Sequence, residues 1–216
     1  MAENETVWTI VVAAGSGLRF GSAKQFELIG GKKIVDWAVE GASKHSVGVI
    51  TVLPEGQAHG ENEVEGGKTR SESVRKGLAA VPPEATIVLV HDAARPFASP
   101  AVYQHVISAV VDGAAGAVPG VSVVDTIKQV NASNVVTSTL HRETLRAIQT
   151  PQAFRAEVLR KAHASGGEGT DDATLIEKIA GEVIVVEGEV VNRKITTRED
   201  LEWANAHANY LLRGEV

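Results

Sequence analysis

The first residues able to do chemistry lie in one run, Ala13-Ala14-Gly15-Ser16-Gly17-Leu18-Arg19-Phe20-Gly21-Ser22-Ala23-Lys24-Gln25. Glycines after an apolar stretch let the backbone come close to a ligand and aim its N–H groups at phosphate oxygens. The guanidinium of Arg19 and the ammonium of Lys24 turn such a loop into a polyphosphate clamp. Glycines stand at 15, 17 and 21, one position off the dinucleotide pattern G-x-G-x-x-G, which disfavours hydride transfer. Gly67-Lys68-Thr69 copies only the end of a Walker A loop, because Asn62 occupies the place of its first glycine.

A second constellation is His91-Asp92-Ala93-Ala94-Arg95-Pro96, which follows the apolar run Thr86 to Val90. At a strand's carboxyl end an acid can help hold a divalent cation and an arginine can meet a phosphate. The structural alternative is an Asp92–Arg95 ion pair that shapes a turn. His91 and Asp92 have no G-x-S-x-G elbow to complete a hydrolase triad. The 7 histidines lack metal-binding spacing and read as surface or packing residues. Further polar patches are 66–73, 149–152 and 169–172, the last also readable as an acidic helix N-terminus. Asn192-Arg193-Lys194-Ile195-Thr196 adds a lysine late in the chain.

These groups need a frame. Apolar runs rich in β-branched residues at Trp8–Ala13, Val47–Leu53, Thr86–Val90 and Val183–Val186 read as buried strands. Between them lie helical spacings such as Ile34, Val35, Ala38, Val39, Ala42 and Val102, Val106, Ile107, Val110, Val111. Ser99-Pro100 supplies an N-cap and a proline at the first helical position, and Thr197 with Asp200 forms a capping-box pattern before the last helix. Strands alternating with helices predict an α/β fold around a mostly parallel sheet flanked by helices. Val121 to Leu140 breaks the alternation and reads as a projecting hairpin around Asn131-Ala132-Ser133-Asn134. A lone hairpin is marginal in water, so it needs a surface, either a second subunit or its own domain.

The 216 residues suit one domain. Apolar residues make up 44% and charged residues 22%, an ordinary globular composition. The absence of cysteine excludes disulfides, thiolate metal sites and a cysteine nucleophile. The net charge of −6 argues against a general nucleic-acid surface, and no run approaches the roughly 18 apolar residues of a membrane span. The opening Met-Ala-Glu-Asn-Glu lacks the parts of a secretion signal, so a cytoplasmic protein is expected.

In this order, the 13–25 loop, HDAARP, Asp125-Thr126-Ile127-Lys128, TPQAF, TDDA and NRKIT resemble the 2-C-methyl-D-erythritol 4-phosphate cytidylyltransferases of non-mevalonate isoprenoid synthesis. The likeness runs from Val11 to about Leu212 and implies a Rossmann-like nucleotidyltransferase fold, CTP, Mg²⁺, and a homodimer formed through a β-arm, here 121–144 of a single 1–216 domain. It also implies that the backbone of Ala13, Ala14, Gly15 and Gly17 wraps the CTP phosphates, with Arg19, Lys24 and Lys194 neutralising them. Gly67, Arg70 and Ser73 fall to cytosine recognition, and Asp92 to metal and ribose. Arg95, Thr126, Arg142, Thr150 and Thr170 fall to the polyol phosphate, some reaching from the partner subunit.

Three positions depart from the family: Ala23 replaces a usual proline, Lys68 an acid found in some members, and Val191 an aspartate found in some. No side-chain role is assigned to 68 or 191. The nearest alternative is a ribitol 5-phosphate cytidylyltransferase, against which the Ala13-Ala14-Gly15 opening speaks. A regulatory nucleotide-binding module would not need charge on both sides of a reacting phosphate.

Overall fold

The computed structural model describes residues 5–15, 20 and 23–214. The chain opens with β1 (Val7–Val12), then a 3₁₀ turn at Lys24–Phe26 and the short strands β2 (Leu28–Ile29) and β3 (Lys32–Lys33). Next come α1 (Ile34–Ser43), β4 (Gly48–Leu53), β5 (Glu63–Glu65), α2 (Arg70–Ala80) and β6 (Ile87–Asp92). After these come α3 (Pro100–Val111), β7 (Gly116–Ser122), β8 (Lys128–Val130) and β9 (Val136–Thr139). The last elements are β10 (Arg146–Ile148), β11 (Gln152–Arg155), α4 (Ala156–Ala164), α5 (Ala173–Glu177), β12 (Val183–Glu187) and α6 (Arg198–Leu212).

Eight strands form one sheet in the order β10-β7-β11-β6-β1-β4-β5, with β12 also on β7. β1 pairs in parallel with β4 and β6, β4 with β5, and β12 with β7. β11 runs antiparallel between β6 and β7, and β10 antiparallel to β7. The sheet is therefore mainly parallel, with two reversed strands where the chain returns from the hairpin.

Period-two alternation sends neighbouring side chains to opposite faces. Ile10, Val88, Val90 and Phe154 pack with Val74 and Leu78 of α2 and Leu159 of α4. Val11, Ile87, Leu89 and Ala153 pack instead with Val35 and Ala38 of α1 and Tyr103 and Val106 of α3. A smaller cluster of Phe20, Ile29, Ile34, Phe97, Ile195 and Ala204 seats α6 beside the β2–β3 turn. At that turn Gly30 has φ +57°, and a Cβ there would lie 2.9 Å from Leu212 Cδ1.

Both predicted caps are present: Ser99 Oγ accepts from Val102 N at 3.4 Å, and Thr197 with Asp200 closes a full capping box. Several strand boundaries move by one or two residues, and two of the shifts bear on the site and the arm. The strand expected to stop at Val90 carries His91 and Asp92 as its last two residues, because their backbones continue the ladder with Val11 and Val12. Val121 belongs to the sheet strand β7, so the projecting hairpin itself is β8 and β9, closed by Asn131 Oδ1 accepting from Ser133 N and Val135 N. Both hairpin strands are almost wholly exposed, so the hairpin does not fold back on its own domain. No helix among the described residues is long and apolar enough to cross a membrane.

Candidate functional site

The register Val12↔Asp92 brings the ends of β1 and β6 together, and the backbone locks them there: Ala13 N donates to Val52 O at 2.8 Å, and Ala93 N to Val12 O at 3.0 Å. Above these ends opens a cavity of about 690 Å³. It is lined by 12–15, Lys24 and Gln25, 67–70 with Ser73, 92–94 and 194–196, together with Phe20 and Ile34. Of the residues singled out in the sequence, Ala13, Ala14, Gly15, Lys24, Gly67, Arg70, Ser73, Asp92 and Lys194 meet on this one surface. Gly17 and Arg19 lie outside the described residues.

Lys24 sits in the 3₁₀ turn after the loop and its Nζ donates to Ile195 O at 2.8 Å, joining the two lysine-bearing segments. Ile195 N in turn donates to Ala94 O at 2.8 Å. Lys194 Nζ lies 2.5 Å from Asp92 Oδ2, and Arg70 Nε lies 3.2 Å from Asp92 Oδ1. Burial by itself would raise the Asp92 carboxyl, but the charges of Arg70 and Lys194 outweigh it and hold the group well below the usual carboxylate range. Asp92 therefore stays ionised although it is nearly buried. Burial also pushes the neighbouring His91 imidazole down to about 4, despite the attraction of Asp92. His91 Nδ1 meets Thr150 Oγ1 at 3.0 Å and its Nε2 meets Arg95 O at 3.1 Å, as a packing histidine would.

The 66–69 segment is held tightly at the start of α2. Ser73 Oγ accepts from Gly67 N at 3.0 Å and donates to Thr69 O at 2.9 Å, while Thr69 Oγ1 accepts from Glu72 N at 3.1 Å. A Cβ on Gly66 would come within 2.2 Å of Ala14 Cβ, so only glycine allows this segment to lie against the 13–15 loop.

The residues expected to hold the polyol phosphate are more dispersed. Arg95 forms no ion pair with Asp92 among the described residues; it donates to Asn192 O at 2.7 Å and Ile148 O at 3.2 Å. Thr150 is buried, and its hydroxyl also accepts from Asp92 N at 3.0 Å, supporting the acid from beneath. Thr170 is exposed in the loop before α5. Thr126 and Arg142 lie on the exposed arm, where Arg142 Nη1 donates to Val124 O at 2.6 Å. None of these five lines the cavity.

Sequence reasoning missed several supporting residues. Asp172, inside a stretch readable as a helix N-terminus, is fully buried and accepts from Arg70 Nη1 at 2.7 Å. Asp200 is more than a cap. Its Oδ2 accepts from Thr196 N at 2.8 Å, Thr196 Oγ1 at 2.7 Å and Thr197 N at 2.9 Å, and its Oδ1 from Arg193 at 2.5 Å. Burial would raise this carboxyl too, but these bonds hold it low and fix the turn that presents Lys194. Asn192, also fully buried, donates to Thr150 O at 2.9 Å. A polar residue just beside a candidate lysine was the only signal for it.

The family model described as 2-C-methyl-D-erythritol 4-phosphate cytidylyltransferase matches residues 7–210. A relative of that name from Nocardia farcinica is 40% identical, covering 94% of this chain and 94% of its own. The bifunctional enzyme IspD/IspF of Nitratidesulfovibrio vulgaris is 41% identical over 93% of this chain, which spans 58% of that longer protein. Among solved structures, the 2-C-methyl-D-erythritol 4-phosphate cytidylyltransferase of Thermus thermophilus superposes with a TM-score of 0.81 at 35% identity, covering 94% of this chain and 98% of the other.

Proposed function

The chain belongs to the 2-C-methyl-D-erythritol 4-phosphate cytidylyltransferase family, and from that premise we propose that it transfers CMP from CTP to 2-C-methyl-D-erythritol 4-phosphate. The products are 4-diphosphocytidyl-2-C-methyl-D-erythritol and pyrophosphate, as a step in isoprenoid precursor synthesis in the cytoplasm. The observation that carries this reading is the meeting of Lys24 and Lys194, far apart in sequence, on one cavity with Asp92 and Arg70. The ribitol 5-phosphate alternative has no support from the matching family or the relatives named above.

In the reaction a phosphate oxygen of the polyol phosphate attacks the α-phosphorus of CTP. The bond from that phosphorus to the bridging oxygen breaks, and pyrophosphate leaves with the electron pair. The nucleophile is already an anion, so no general base is needed, and catalysis comes from positioning and charge neutralisation. The 13–17 backbone cradles the triphosphate; Arg19 and Lys24 neutralise it from one side and Lys194 from the other. Gly67, Arg70 and Ser73 hold the cytosine.

Asp92 suits Mg²⁺, since it is an ionised oxygen donor in the cavity and this ion commonly takes one or two carboxylates together with substrate phosphates and water. Bound there, the ion supplies charge stabilisation of phosphoryl oxygens.

The polyol phosphate is held by Arg95, Thr150 and Thr170, and by Thr126 and Arg142 reaching from the arm of a second subunit in a homodimer. The arm's exposure supports this assembly, because an isolated hairpin needs a surface. A pyrophosphate-release assay with CTP tests the function. Release is expected with methylerythritol phosphate and far less with ribitol 5-phosphate; no release with methylerythritol phosphate refutes it.

A further inference from the structure

A line of alternating cationic and anionic side chains, ended by a histidine, runs from the cavity into the protein. It passes from Lys194 to Asp92, from Asp92 to Arg70 at 3.2 Å, from Arg70 to Asp172 at 2.7 Å, and from Asp172 Oδ1 to His163 Nε2 at 2.9 Å. The last two members lie behind the site. Their side chains are 1% and 2% exposed, and neither lines the cavity. A carboxylate out of water is costly unless its lone pairs are taken. Arg70 takes one oxygen of Asp172 and His163 the other.

Packing alone gives no reason for a histidine at 163. Its Nδ1 is buried without a hydrogen-bond partner, so an apolar side chain of similar volume would fill the space with no idle polar atom. What the imidazole contributes is the bond from Nε2 to Asp172. The loop before α5 is also docked on α2: Gly169 N donates to Ser71 Oγ at 3.3 Å and Arg75 Nη1 to Gly167 O at 2.9 Å. Asp172 stands two residues after Thr170, so the same contact joins the polyol side of the site to Arg70 on the nucleotide side.

We infer that Asp172 and His163 are positioning residues that hold the Arg70 guanidinium across the Asp92 carboxylate, pre-setting the nucleotide half of the site without touching either substrate. An arginine side chain has many rotamers, and fixing it during folding removes that ordering cost from CTP binding. Lysine at position 70 would replace it poorly, because its one ammonium nitrogen lacks the fixed fork by which Nε meets Asp92 and Nη1 meets Asp172. This inference rests on the proposed cytidylyltransferase reading.

A double-mutant cycle read by steady-state kinetics and by calorimetric CTP titration tests it. His163→Leu should raise KM and Kd for CTP about tenfold, the loss of one hydrogen bond to a charged group, with a smaller change in kcat. His163→Gln keeps an N–H donor and should restore most of the affinity. In an Arg70→Ala background, His163→Leu should add almost nothing, since its effect passes through Arg70. If His163→Leu does not fold, Asp172→Asn enters the same cycle with the same expectation. An undiminished additive loss in the Arg70→Ala background, or CTP affinity equal to wild type in His163→Leu, overturns the positioning role. Wild-type protein that binds no CTP overturns the function itself, and the two failures are distinct.

Discussion

At the carboxyl ends of β1 and β6, Lys24, Arg70, Asp92 and Lys194 each meet a partner within the chain, and Asp92 lies almost out of water. The arm from 123 to 144 is the reverse. Val124, Val130, Val135 and Val136 are exposed, and Arg142 bonds only locally, to Val124 O and weakly to Glu143. The cavity floor is finished by intramolecular folding, which sets its charges before substrate arrives. The arm has no such support from its own domain, and under the proposed assembly a second subunit supplies it. One chain thus carries a cavity whose charged groups are paired internally and an arm that is left exposed, and under the proposed function these are the nucleotide and acceptor halves of the site.

The difference can be broken by mutation. Lys24→Ala and Lys194→Ala should each lower kcat by at least roughly 10²-fold, the cost of losing one transition-state donor. Stopped or steady-state pyrophosphate release measures it, and near-wild-type turnover in both variants would remove the floor from the mechanism.

Arg142→Ala should raise KM for the polyol phosphate about tenfold while leaving KM for CTP nearly unchanged. The contrast sharpens on mixing. Equal amounts of Arg142→Ala and Lys194→Ala protein, assayed at low polyol phosphate after subunit exchange, should regain roughly a quarter of wild-type activity, as random pairing of isologous subunits gives. No recovery would place Arg142 in its own subunit's chemistry or outside it.

The smallest effect belongs to Asp200, which sets the Lys194 turn. Asp200→Asn should cost about 1–2 kcal/mol near neutral pH, the loss of charge-assisted hydrogen bonds. The folded-state carboxyl titrates below its unfolded value of about 3.9, so its contribution is complete above that pH and lost as pH falls below it. The Tm gap between wild type and variant should accordingly shrink on acidification below about pH 4. A constant gap would show that the carboxylate charge is not what holds the turn.

Strands and helices were readable because their signals are local: the alternation of Ile10 with Val11 and of Val88 with Leu89 declares two buried faces, and Ser99-Pro100 and Thr197 with Asp200 declare helix starts. The grouping of loop and lysines was legible in part: Gly15 and Lys24 belong to the glycine-rich run after β1, whereas Lys194 taken alone reads as a surface lysine, and all three line one cavity. The supporting layer was not legible. Asp172 and His163 meet Arg70 only because α2, α4 and the loop before α5 converge on one sheet face, and no spacing in the sequence encodes that meeting. The contacts of Thr150 were equally hidden: its hydroxyl meets Asp92 N and His91 Nδ1, positions set by the pairing of β6 with β11.

Where the two lysines lie when nucleotide is present decides the mechanism, and a crystal structure of the CTP complex measures that. It should place the amino groups of Lys24 and Lys194 on opposite sides of a single triphosphate, each within about 3 Å of a phosphate oxygen. A triphosphate bound elsewhere, or one contacted by only one of the two amines, would contradict the mechanism.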